Sequence, residues 1–66
     1  MEAVGSEIRL LCTVPEAASA LRVSRSVIYE LIRSGRLRTI KQGRRRLVSV
    51  RALDEYVTAM EAASRG

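Results

Sequence analysis

The sequence predicts a mainly α-helical fold in which three short helices accompany a two-stranded β-hairpin. Two segments with helix-start signals and apolar residues at helical spacing lie close together in the first half of the chain, and a third lies near its end. Between the second and third, two short runs with β-branched residues flank a glycine, which is typical of a hairpin. The 66 residues are enough for one small domain.

That domain is expected to span residues 1–66, with an ordered core from about residue 10 to residue 61. Residues 1–9 lack clear periodicity and residues 62–66 are small or polar, so both ends are predicted to be frayed tails. A chain of this size buries only about 60% of its unfolded surface. We therefore expect a small core and no enclosed active-site cavity.

A first helix is predicted to begin after Thr13. The pair of Thr13 and Glu16 fits a capping box, in which each side chain accepts a hydrogen bond from the other residue's backbone N–H. Pro15 is compatible with the first turn because N–H groups there have no acceptor within the helix. The apolar stripe of this helix is predicted to consist of Val14, Ala17, Ala18 and Leu21.

A second helix is predicted from Ser24, which can cap it, to about Ser34, before the left-handed stop expected at Gly35. Its apolar side is predicted to consist of Val27, Ile28, Leu31 and Ile32. Its opposite side is predicted to consist of Ser26, Tyr29, Glu30 and Arg33. Two short helices joined by a turn of about three residues form a helix-turn-helix pattern, in which the second helix enters the major groove of DNA.

After Gly35 the pattern changes to two strand-like segments, residues 37–42 and 45–48, which we interpret as a two-stranded hairpin turning at Gly43. Such a hairpin would be a wing. A third helix is predicted after Ser49, and it should close the core against the first two. Its apolar stripe is predicted to consist of Val50, Leu53, Val57 and Met60. The predicted fold class is therefore mainly α, a winged helix-turn-helix.

The positive charge is concentrated in one block of the chain. The net charge is +5, but residues 22–51 carry ten of the twelve basic residues and one acid, a net +9, while the remainder carries two basic and six acidic residues, a net −4. A concentrated basic block is expected of a protein that binds a polyanion. Because the only aromatic residues are two tyrosines, a stacking platform for single strands is not expected, and double-stranded DNA is the predicted partner.

The composition argues against several other functions. Histidine is absent and Cys12 is the single cysteine, so we expect no zinc site, no cofactor and no nucleophile–imidazole pair, and hence no enzyme. No apolar run approaches the roughly 20 residues of a membrane span, and the N-terminus lacks a signal-peptide pattern. A cytoplasmic, nucleoid-associated protein is expected.

The order of these features resembles a known family. The run TVPEAASALRVSRSVIYELIRSGRLRTIKQGRRRLVSVRALDEYV is similar to the winged helix-turn-helix domain of excisionases and of the related AlpA and MerR-type regulators. The resemblance is carried by the capped first helix and then, in order, by R-V-S-R-S-V-I-Y, S-G-R-L, G-R-R-R and V-x-x-x-x-L-D-E-Y. It implies that the second helix contacts the major groove and that the wing contacts a neighbouring minor groove or its phosphates.

The resemblance also implies a set of DNA-binding residues: Ser24, Arg25, Ser26, Tyr29 and Arg33 in the second helix and its cap, and Arg44, Arg45 and Arg46 in the wing. Arginine matches the paired acceptors of guanine, and adjacent arginines repel one another unless phosphates lie beside them. The competing interpretations are structural. In these, the helix and wing arginines are ordinary solvated side chains, and Tyr29 only covers its neighbours. Ser24 is expected to be a helix cap that can also meet a phosphate, and Glu30 is expected to pair with Arg33 on the helix surface rather than to recognise cytosine.

The sequence leaves three candidate functions. The first is an excisionase, or recombination directionality factor, which binds and bends DNA near an attachment site and assists an integrase, with neighbouring copies of itself on the DNA. The absence from these 66 residues of the dimerisation helix and effector region of MerR-type regulators favours it. The second is a small AlpA-type or MerR-like transcriptional regulator. The third, an RNA-binding or protein-interaction module, is disfavoured because the deep, narrow major groove of double-stranded RNA excludes a helix.

Overall fold

The computed structural model describes residues 10–65, which form three helices and three strands. In chain order the elements are β1 (Leu11–Thr13), α1 (Val14–Leu21), α2 (Arg25–Arg33), β2 (Ile40–Gln42), β3 (Arg45–Ser49) and α3 (Val50–Arg65). The predicted fold class, mainly helical with a hairpin wing, is confirmed. The tail predicted at residues 1–9 lies outside the described residues.

The sheet has one strand more than the sequence predicted. It is antiparallel in the order β1-β3-β2, so β3 lies between the expected hairpin partner β2 and the short strand β1. Cys12 is opposite Val48, and Thr13 is opposite Leu47. Strand β2 begins at Ile40, three residues later than predicted, because Leu37 is buried in the core and its N–H donates to the carbonyl of Leu31.

Helix α1 begins with the predicted capping box. The N–H of Glu16 donates to Thr13 Oγ1 at 3.2 Å, and the N–H of Thr13 donates to Glu16 Oε1 at 2.9 Å. The helix ends at Arg22, which has a left-handed backbone with φ of 59°. The N–H of Val23 then donates to the carbonyl of Ala18 at 3.0 Å, which completes a C-terminal capping motif usually built on glycine.

Helix α2 follows its predicted limits. Ser24 Oγ accepts from the N–H of Val27 at 3.2 Å, and Gly35, with φ of +82°, ends the last turn. Ile28 and Leu31 are buried as predicted, whereas Val27 is exposed although the helical spacing had placed it on the apolar side. The helix therefore has a narrower buried stripe than expected.

The predicted apolar stripe of α3 is confirmed at Leu53 and wrong at Val50 and Met60. Val50 and Met60 are 42% and 46% exposed, and the residues that face the core are Ala52, Leu53 and Tyr56. The N–H of Val50 donates to the carbonyl of Leu10 at 3.0 Å, which ties the start of the helix to the residue before β1. The helix also continues to Arg65, beyond residue 61, because alanine and serine in this segment are compatible with a helix.

The core lies where the three helices meet β3. Its buried apolar residues are Val14, Ala17, Ala18, Ile28, Leu31, Leu37, Leu47, Val48 and Ala52. None of the polar or charged side chains described between residues 10 and 65 is buried. Any polar chemistry of this part of the chain therefore takes place at its surface.

Candidate nucleic-acid interface

One side of α2 is available to a partner. Because Ile28 and Leu31 are buried, the opposite side, which carries Ser26, Tyr29 and Arg33, projects outward, and all three residues are exposed. Tyr29 is 45% exposed, which is a large accessible fraction for an aromatic residue. Arg25 is exposed in the first turn. We call the side of the helix that carries Ser26, Tyr29 and Arg33 the exposed face of α2.

Ser24 acts as a helix cap. Its hydroxyl oxygen accepts from the N–H of Val27, and the residue is exposed. A hydroxyl that accepts one hydrogen bond keeps its own hydrogen for donation, and a helix N-terminus favours anions. The cap is therefore compatible with the phosphate contact predicted for Ser24, which stays a prediction.

Arg33 is paired with Glu30, as the three-residue spacing of the two side chains predicted. The distance from Arg33 Nη2 to Glu30 Oε1 is 2.6 Å, and the two side chains are 72% and 68% exposed. An ion pair this exposed contributes little to stability. Arg33 keeps further N–H groups for a base or phosphate, because a guanidinium carries five donors.

The wing consists of β2, β3 and the turn at Gly43 and Arg44. Gly43 has a left-handed φ of +62° and the strands pair in a simple register, with Gln42 opposite Arg45 and Lys41 opposite Arg46. Residues directly opposite each other project from the same face of a sheet, and successive residues project from opposite faces. The three arginines therefore do not form one patch.

The three wing arginines occupy different positions on the hairpin. Arg46 shares a face with Lys41 and with Val48, whose side chain is part of the core. Arg45 is on the other face with Gln42, and Arg44 is in the turn between the strands. All three are exposed, and Arg45 and Arg46 project from opposite faces of the hairpin.

Lys41 was not among the predicted site residues, although it lies directly opposite Arg46. The signal was present in the sequence, because a two-residue turn at Gly43 and Arg44 fixes which residues of the hairpin face each other. Arg38, by contrast, forms an ion pair with Glu55 of α3, with 2.8 Å between Nη2 and Oε1. This pair connects residues far apart in the sequence, so no local pattern predicted it.

Among residues 10–65, neither a metal-binding group of side chains nor a membrane-spanning helix is present. Within residues 10–65, no group of three or more cysteine, aspartate or glutamate side chains is arranged so that it could hold a metal ion. In the same stretch, no helix has both the length and the hydrophobicity that crossing a membrane requires.

Comparisons with known proteins agree with this geometry. The profile of the helix-turn-helix domain family matches residues 11–61. An excisionase of Streptomyces ambofaciens is 43% identical over 47 residues, which cover 71% of this chain and 76% of that protein. A probable excisionase of Saccharopolyspora erythraea is 37% identical over 54 residues, which cover 82% of this chain.

This chain spans only about half of the Saccharopolyspora erythraea protein, since the matched residues are 55% of its length. No solved structure matches the chain. The profile match extends from β1 into α3 and so includes both α2 and the wing. The chain therefore belongs to the DNA-binding helix-turn-helix family, in its excisionase-type branch.

Proposed function

We propose that this protein is an excisionase that binds specific sites in double-stranded DNA and assists an integrase without catalysing strand exchange itself. The observation that carries the proposal is the exposed face of α2, which lies opposite the buried Ile28 and Leu31 and belongs to the same basic block as the wing. The excisionase names of two relatives support the recombination role.

In this proposal the exposed face of α2 selects the DNA sequence. A helix fits the major groove, where an arginine donates to the paired acceptors N7 and O6 of guanine. Arg33 takes this role, while Tyr29 and Ser26 contact neighbouring base edges or phosphates. Ser24 and Arg25, at the helix N-terminus, contact the phosphate backbone.

The wing supplies affinity rather than sequence selection. Arg44, Arg45 and Arg46 are exposed and lie on different sides of a narrow hairpin, so they can contact phosphates on both strands of a minor groove. Neutralising phosphates releases counterions, which makes binding strong at low salt and weak at high salt. We therefore expect tight occupancy to need neighbouring copies or a bound integrase, which raise the effective concentration. This role places the protein in the cytoplasm, with the nucleoid.

The test is a nuclease footprint on the DNA that flanks the native locus, followed by an excision assay with the cognate integrase. We expect several adjacent protected sites beside an attachment site, and excision that depends on this protein. A single protected site at a promoter, with excision unaffected, would instead support a small transcriptional regulator.

A further inference from the structure

Two cations lie directly opposite each other in the wing. Lys41 of β2 pairs with Arg46 of β3, and both side chains are exposed on the same face. The Cβ atoms of such a pair are about 4.5–5.5 Å apart, and like charges at this position destabilise the sheet. Among the ion pairs formed within residues 10–65, none includes Lys41 or Arg46, so no carboxylate there offsets the repulsion.

Thr39 fixes the direction of the Arg46 side chain. Arg46 Nη1 donates to Thr39 Oγ1 at 2.8 Å, and Thr39, which is partly buried, precedes Lys41 by two residues. The Thr39 hydroxyl accepts this hydrogen bond and keeps its own hydrogen for donation. One face of the wing therefore carries Lys41 and Arg46, and the Arg46 guanidinium on it is hydrogen-bonded to Thr39.

We propose that Lys41 and Arg46, with Thr39 as the positioning residue, form a clamp for one backbone phosphate of DNA; this rests on the proposed DNA-binding function. A phosphate between the two cations converts their repulsion into attraction, and a guanidinium can donate two parallel hydrogen bonds to its oxygens. Arg45 is on the opposite face of the wing, so it contacts the other strand. The clamp adds Lys41 to the predicted site. It also assigns Arg46 and Arg45 to different strands of the DNA.

The clamp is tested by measuring the affinity of the full chain for its footprinted duplex at several salt concentrations. Lys41→Gln removes one phosphate contact, so affinity at 0.1 M salt is expected to fall roughly five- to tenfold and the log–log salt slope to become shallower by about 0.9. Arg65→Gln removes the same charge from the last turn of α3 and is expected to change neither quantity. Lys41→Arg should restore both.

The free protein provides a second measurement. Because Lys41→Gln removes a like-charge pair, the Tm of the free protein at low salt is expected to rise slightly while DNA affinity falls. A lower Tm together with lower affinity would assign Lys41 a structural role and overturn the clamp. Thr39→Val, which keeps the branched shape but not the hydroxyl, should reduce affinity and leave the salt slope unchanged.

Failure of the clamp and failure of the proposed function give different results. If the unmodified chain binds its duplex and Lys41→Gln matches it in affinity and salt slope, the clamp is wrong and the proposed function stands. If the unmodified chain binds no duplex DNA at low salt, the proposed function is wrong and the clamp with it.

Discussion

Arg33 and Glu30 form an ion pair on the exposed face of α2, with 2.6 Å between Nη2 and Oε1. Glu30 is the one acidic residue between residues 22 and 51, and the side chain it contacts is the proposed guanine contact. Within the ion pair, one N–H of the guanidinium is already engaged by a carboxylate. If the exposed face of α2 enters the major groove as proposed, the Glu30 carboxylate would lie near the DNA phosphates and would disfavour non-specific binding.

Replacing Glu30 by glutamine is therefore expected to raise affinity for random duplex DNA by roughly three- to tenfold and to reduce the ratio of specific to random affinity. The physical reason is the loss of one like-charge repulsion, together with the release of Arg33. Fluorescence anisotropy on both duplexes measures the effect. Glu61→Gln, which removes an exposed carboxylate from α3, is the matched control, and an equal gain in random affinity from both variants would contradict this role for Glu30.

Arg22 provides a prediction about stability. It holds a left-handed φ of 59°, which costs a residue with a Cβ atom about 1–2 kcal/mol, whereas glycine adopts it without that strain. After the larger entropy loss of glycine on folding, Arg22→Gly should stabilise the protein by about 0.5–1 kcal/mol and raise the Tm by a few degrees. Arg22→Ala keeps the Cβ atom and removes the charge, so a rise of the same size in this control would contradict the explanation.

Two variants of Ser24 distinguish its role as a helix cap from its proposed contact with DNA. Ser24→Ala removes the acceptor for the N–H of Val27, and loss of such a cap costs about 1 kcal/mol, or a Tm lower by about 4–8 °C for a domain of this size. Ser24→Asp keeps a capping oxygen, so its Tm should stay near that of the unmodified protein while DNA affinity falls through repulsion of phosphate. Undiminished affinity in Ser24→Asp would remove Ser24 from the interface.

The features that the sequence predicted well depend on local signals. The capping box of Thr13 and Glu16, the cap at Ser24 and the left-handed stop at Gly35 each involve residues within a few positions of one another. Helix limits follow from such signals because capping is a short-range interaction. Exposure of Tyr29 and Arg33 followed in turn from the helical spacing of α2.

The features that the sequence did not predict depend on contacts between distant segments. Strand β1 is only three residues long, and its partner β3 lies beyond both helices of the helix-turn-helix unit. The stripe predicted for α3 was wrong at Val50 and Met60, because Ala52, which is buried in the core, carries a weaker apolar signal than either of them. Tertiary packing decided which side of the helix faces inward. The Arg38–Glu55 pair likewise arises only after the chain has folded.

The most direct test of the central claim, that the exposed face of α2 selects sequence while the wing supplies charge, compares Arg33→Ala with Arg45→Ala on specific and random duplexes across a salt series. Arg33→Ala is expected to cost about 1–3 kcal/mol on the specific duplex and little on random DNA. Arg45→Ala is expected to weaken both and to make the salt slope shallower by about 0.9. Equal losses on both duplexes for Arg33→Ala would show that Arg33 contacts only phosphate, and would contradict the claim.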